Sequence, residues 1–251
     1  MSPLHLARVF GIVSACALLF ACDDPEGIVV ECVDPGDSAP TGGWVCGEDK
    51  VIECSSTSGT AVNATLYAQL EEGSCDDAML TASDTGPFGL GLHVISVNAE
   101  LDESASLLPC TANLTIVDTT APSVTPKTME LWPPNHSFHT ITIEDCVDAA
   151  DICDPDIEVA FTYATSDEPR NTTGDGNTEI DISSFGCHSI DLLAERKGNG
   201  DARVYRLGYR AVDASGNAAE GVCQVIVPHD QGGKVPVDSG EAYKELAPAC
   251  H

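Results

Sequence analysis

Two places in this chain carry the same strand-turn-strand pattern, and that pattern limits what the chain can fold into. In the clearer copy, Tyr205, Leu207, Tyr209 and Ala211 fall on alternate positions. Alternation with period two is the mark of a strand buried on one face. The run Asp213-Ala-Ser-Gly-Asn217 follows. An aspartate that can bond the backbone, followed by Gly216 and Asn217, which tolerate positive φ, makes a turn. Cys223, Val225 and Val227 then alternate again, so the segment predicts a β-hairpin with an inward cysteine on its return strand. In the other copy His93, Ile95, Val97 and Ala99 alternate, a polar turn follows at residues 102–106, and Cys110, Ala112, Leu114 and Ile116 alternate on the way back. The two cysteines lie about 110 residues apart, the size of one β-sandwich domain and far longer than a solenoid repeat.

Charge narrows the function. The chain has 40 Asp and Glu against 11 Lys and Arg, a formal charge of −29. Phosphate backbones would repel it, which argues against a nucleic-acid partner. Its hydrophobic fraction of 43% is too high for wholesale disorder.

The N-terminus points to export. Arg8 precedes an apolar stretch over residues 9–21, too short to cross a bilayer as a helix. The stretch ends in Leu19-Phe20-Ala21-Cys22, which resembles the lipobox of bacterial lipoproteins, although Phe20 departs from the usual choice at its position. The resemblance implies cleavage before Cys22 and acylation of that cysteine, with the lipid bilayer as a partner. Several acyl chains on one residue give stable anchoring. Residues 1–21 are then a signal peptide and residues 22–30 a tether. Either this or an ordinary secretory signal places the mature chain outside the cytoplasm, in the cell envelope or at the cell surface.

With Cys16 removed and Cys22 acylated, ten of the 12 cysteines remain. No C-x-x-C pair is present, so bridges are a better reading than zinc.

The run from Tyr209 to Asn217, followed by Cys223 to Val227, is similar to the C-terminal half of hyalin-repeat (HYR) modules. Leu131-Trp-Pro-Pro-Asn-His136, Ser166-Asp-Glu-Pro169, Gly174-Asp-Gly-Asn-Thr178, Ala194-Glu-Arg196 and Val227-Pro-His-Asp-Gln231 resemble a domain that recurs in secreted myxobacterial proteins. The resemblance implies an all-β chain of two tandem immunoglobulin-like β-sandwiches, stapled by disulfides. The first module is placed at residues 31–117, the second at 118–230, and a C-terminal tail at 231–251. Helix signal is confined to residues 241–246. Trp132 is expected to pack under the second sandwich. One bridge per module should reach the return-strand cysteine, Cys54–Cys110 and Cys146–Cys223, with Cys153–Cys187 beside the second. Five cysteines in each half leave Cys250 to return to an earlier one.

The family implies adhesion or extracellular architecture and brings no catalytic residues. No nucleophile elbow, zinc-protease helix, P-loop or dinucleotide fingerprint is present. The expectation is a non-catalytic, membrane-anchored binding, adhesion or spacer protein, whose protein or polysaccharide ligand the sequence does not name. Two alternatives stand beside it. One is a calcium-dependent adhesion module, for which Asp175, Asn177, Glu179 and Asp181 offer oxygens at alternate positions. A solvated acidic surface is the preferred account of those residues, so no cofactor is required. The other is an enzyme acting on polysaccharide, whose carboxylate pair would be defined in space. His136 and His139 flank Ser-Phe and point to opposite faces if extended, which is not a metal pair.

Overall fold

The computed structural model describes residues 29–31, 43–63, 68–70, 79–102, 105–106, 110–172, 174, 176–233 and 235–250. The signal segment, Cys22 and Asp175 lie outside the described residues. The chain divides into two compact units, Met1–Asp118 and Thr119–His251.

Unit 1 contains β1 (Val29–Glu31), β2 (Gly43–Cys46), β3 (Lys50–Glu53), β4 (Ala68–Leu70), β5 (Met79–Ala82), β6 (Gly91–Asp102), β7 (Ala105–Ser106) and β8 (Cys110–Val117). One sheet runs β1-β2-β4 and another β3-β8-β6-β5, with β7 paired to β6. β6 and β8 form the antiparallel hairpin that the alternation predicts. β8 buries Cys110, Ala112, Leu114 and Ile116 and turns Thr111 and Asn113 outward. Ile95 and Val97 of β6 complete that core, with Phe88 beside them.

Unit 2 contains β9 (Ser123–Pro126), β10 (Thr128–Glu130), β11 (Phe138–Thr142), α1 (Ile143–Cys146), β12 (Val147–Ala150), β13 (Glu158–Ser166), β14 (Ile182–Ser183), β15 (Ser189–Leu193), β16 (Ala202–Val212), β17 (Ala218–Pro228) and β18 (Tyr243–Leu246). A five-stranded sheet runs β10-β17-β16-β13-β18, and a three-stranded sheet β11-β15-β14 faces it across the core. Tyr205, Leu207 and Tyr209 of the first sheet pack with Ile141, Ile190 and Leu192 of the second. The turn between β16 and β17 forms as its chemistry requires. Asp213 accepts from the Asn217 amide at 2.8 Å, and Gly216 adopts φ 91°. In both units the first strand of the main sheet runs parallel to the return strand of the hairpin, β3 with β8 and β10 with β17.

Three local expectations change. Residues 241–246 do not form a helix, and 231–251 is not a separate tail. β18 pairs antiparallel with β13, Tyr243 opposite Ser166 and Leu246 opposite Tyr163, so the end of the chain is a strand of the sheet. Trp132 does not pack under the sandwich and is 40% exposed. Leu131 continues the β10 pairing by donating its amide to the Ile226 carbonyl, and it takes the inward position. Alternation then sends Trp132 outward.

Cys146 and Cys223 are joined across the core, Cα to Cα 5.5 Å. The expected Cys153–Cys187 pair does not form, because Cys187 is bonded to Cys250. The reason lies in β13. The Phe161 amide donates to the Cys187 carbonyl, and the Ala247 amide donates to the Thr162 carbonyl. Neighbouring residues of one strand thus hold both cysteine-bearing segments. Cys54, Cys110 and Cys153 are also in disulfides. The Cys146–Cys223 and Cys187–Cys250 bridges span 77 and 63 residues, and each restricts the unfolded chain by about 4–5 kcal/mol.

Candidate functional site

The densest chemistry of unit 2 is inside it. Arg203 is fully buried and is the largest side chain to be so among the described residues. It stands two residues before Tyr205 on β16, so the alternation that buries Tyr205 also turns Arg203 inward. Its Nη1 lies 2.6 Å from Asp181 Oδ2, and its Nε lies 3.3 Å from Glu168 Oε2. Nη1 also donates to the Tyr205 hydroxyl at 3.2 Å and Nη2 to the Pro169 carbonyl at 3.3 Å. The Tyr205 hydroxyl donates in turn to the Leu193 carbonyl, and the Tyr243 hydroxyl to Asp181 Oδ2 at 3.0 Å. Burial raises the Asp181 and Glu168 carboxyls above the ordinary carboxylate range, while the Arg203 guanidinium pulls the other way. Burial likewise raises the Tyr205 and Tyr243 phenols.

The neighbouring acids tie loops to this centre. Asp167 accepts from the Val204 amide at 2.8 Å and from the Ser239 amide at 3.3 Å. Glu168 accepts from the Lys197 amide at 2.7 Å. Glu195 is fully buried, and its Oε2 accepts from Thr178 and lies 2.9 Å from His136 Nδ1. His136 holds φ 57°, a strained value for a residue other than glycine, and Gly176 packs against its ring so closely that a Cβ would stand 2.7 Å from Cε1. Arg196 donates to the His229 carbonyl at 2.9 Å. The motif runs around His136, Asp167, Thr178, Glu195 and His229 therefore meet in one place.

Of the four residues proposed for calcium, Asp181 faces inward, its Oδ2 held by Arg203 and Tyr243 and its Oδ1 buried without a hydrogen-bond partner. Asn177 and Glu179 are exposed. Asp181 thus serves as counter-charge to the buried Arg203, apart from the exposed Asn177 and Glu179. Sequence reasoning passed over Arg203, Glu168 and Glu195. The signal for Arg203 was its parity with Tyr205.

A surface feature lies elsewhere on unit 2. A groove of about 450 Å³ is lined by Ile143, Val147, Pro155, Ile157 and Val159, with Glu144, Asp148, Glu158 and His188 among its polar residues. Glu144 and Glu158 are exposed. The Glu144 carboxyl is held below the ordinary range by its own backbone amide and the Thr142 hydroxyl. Lys127 already sits at the rim, 2.6 Å from Asp148 and donating to the Glu144 carbonyl at 2.8 Å.

The fold and the buried cluster together define the class: an all-β protein of disulfide-stapled, immunoglobulin-like β-sandwiches. No protein-family model matches the chain, and no curated protein matches it. Among solved structures it is similar to protocadherin gamma C5 EC1-3, at 13% identity and a TM-score of 0.33, over 72% of this chain and 65% of that one. It is also similar to human protocadherin-24 EC1-2, at 13% and 0.28, over 70% and 92%. A third is human mucin-like protocadherin EC1-2, at 12% and 0.32, over 72% and 96%. The chain thus spans just under two thirds of the protocadherin gamma C5 structure. These scores assign it to no family.

Proposed function

We propose that the protein is an exported lipoprotein, anchored through acylated Cys22, that works at the cell envelope or surface by non-catalytic binding or spacing. One observation carries the non-catalytic part. Among the described residues of unit 2, the buried carboxylates Asp154, Asp167, Glu168, Asp181, Glu195 and Asp213 each bind groups of the chain itself. A hydrolase needs carboxylates aimed at a substrate. These six instead brace the loops against the sheets, which suits a rigid body that presents a surface.

Anchoring is tested by metabolic labelling with radioactive palmitate in a bacterial host. Label should enter the full chain and be absent from Cys22→Ala. A full chain that is exported but unlabelled overturns the anchor.

A further inference from the structure

The groove beside α1 has the makings of a peptide site. Its lining comes from β12 (Val147, Asp148, Ala149) and from the start of β13 (Glu158, Val159). Among the described residues, both strands have a ladder partner on one side only at these positions. β12 pairs with β9 alone. β13 pairs with β16 from Glu158 onward, while on its other side the Cys187 carbonyl takes the Phe161 amide and β18 covers Tyr163 to Ser166. Short of Phe161 the strand therefore has an open edge next to an apolar floor, where alternation turns the Val159 backbone groups outward and those of Glu158 and Ala160 toward β16. Such an edge is a template for an added strand.

Charge says which strand would fit. Glu144, Asp148 and Glu158 line the groove. Lys127, reaching Asp148 and the Glu144 carbonyl, shows that the rim holds an ammonium group. The chain's formal charge of −29 would draw cations toward it.

We propose that this groove binds an extended segment of a partner protein in which apolar and basic side chains alternate, added as a strand along the open edge of β13. Apolar side chains enter the floor of Val147, Ile157 and Val159, and basic ones meet Glu158 and Glu144. The proposal rests on reading the chain as a binding protein. Palmitate labelling is blind to the groove, so the two readings fail separately.

The test is fluorescence anisotropy with the full exported chain, purified in detergent, and a labelled peptide of alternating valine and lysine. Saturable binding is expected. The same peptide with methylated backbone nitrogens should bind about tenfold more weakly or worse, because it cannot donate to the edge. The Glu158→Lys variant, at an exposed position, should also weaken binding about tenfold by reversing a contacting charge. The methylated peptide uses the unaltered protein, so it decides the matter even if the variant folds poorly. Absence of saturable binding overturns the proposal. So does binding that survives backbone methylation unchanged, or equal binding of an alternating valine and glutamate peptide. Those last two results would mean non-specific adhesion to an acidic coat.

Discussion

Replacing Arg203 with methionine keeps most of the buried volume and removes the charge. Asp181 and Glu168 then lose the cation at 2.6 and 3.3 Å, while both carboxylates stay buried. Breaking a buried pair by removing one partner costs about 3–5 kcal/mol. For a unit of this size that lowers the melting temperature by about 10–20 °C. The penalty should also depend on pH. Both carboxyls are raised above their ordinary values of 3.8 and 4.5, by burial first, with Arg203 opposing. A carboxyl raised in the folded state contributes stability that is full below its unfolded pKa and lost as pH climbs through the folded one. Without Arg203 both pKa values rise further. The gap between variant and wild type is therefore widest at neutral pH and narrows as acid protonates the pair. Scanning calorimetry of the oxidised protein at neutral pH and near the ordinary carboxylate range measures both gaps. A triple variant, Arg203→Met with Asp181→Asn and Glu168→Gln, should recover more than half of the loss, since no charge is then stranded. A neutral-pH penalty below about 1 kcal/mol, or one that is unchanged in acid, refutes this account of the cluster.

Serine at both Cys187 and Cys250 should cost up to about 4 kcal/mol, and hydrogen exchange should show Tyr243–Leu246 opening while β16 and β17 stay protected. Gly208→Ala should cost about 1–3 kcal/mol by denaturant titration, because its Cβ would run into the Tyr163 ring that lies across the strand. Gly216→Ala has open space around it but φ 91°, so its cost should be backbone strain alone, about 1 kcal/mol. Calcium or EDTA should leave the melting temperature of the full chain unchanged, because Asp181 is engaged by Arg203; a shift of several degrees in either direction would restore the calcium reading.

The two hairpins were legible because their information is local. Tyr205, Leu207 and Tyr209 face one way by strand geometry alone, and Asp213 with Gly216 closes the turn by its own side chain and φ. The disulfide of Cys187 was not legible, because its partner depends on β18 lying along β13, and sequence spacing is silent on which strands become neighbours. The polar cluster falls between these cases. Each member stands in a run whose residue types were distinctive, yet an aspartate at position 181 reads alone as one more acid in a chain of 40. What separates it from Glu179 is a fully buried arginine more than twenty residues further along, and the one local clue is that Arg203 shares the inward parity of Tyr205. A charged residue on the apolar face of a predicted strand therefore demands a counter-charge from elsewhere in the fold. Applied along β16, that rule selects Arg203 from sequence alone, and it predicts that some acidic residues of this chain are interior ligands of that arginine. Asp181 and Glu168 are those residues. The same rule runs in reverse at the groove. Glu144 and Glu158 are exposed acids beside apolar residues, and on the proposed reading the basic side chains of the bound strand supply their counter-charge.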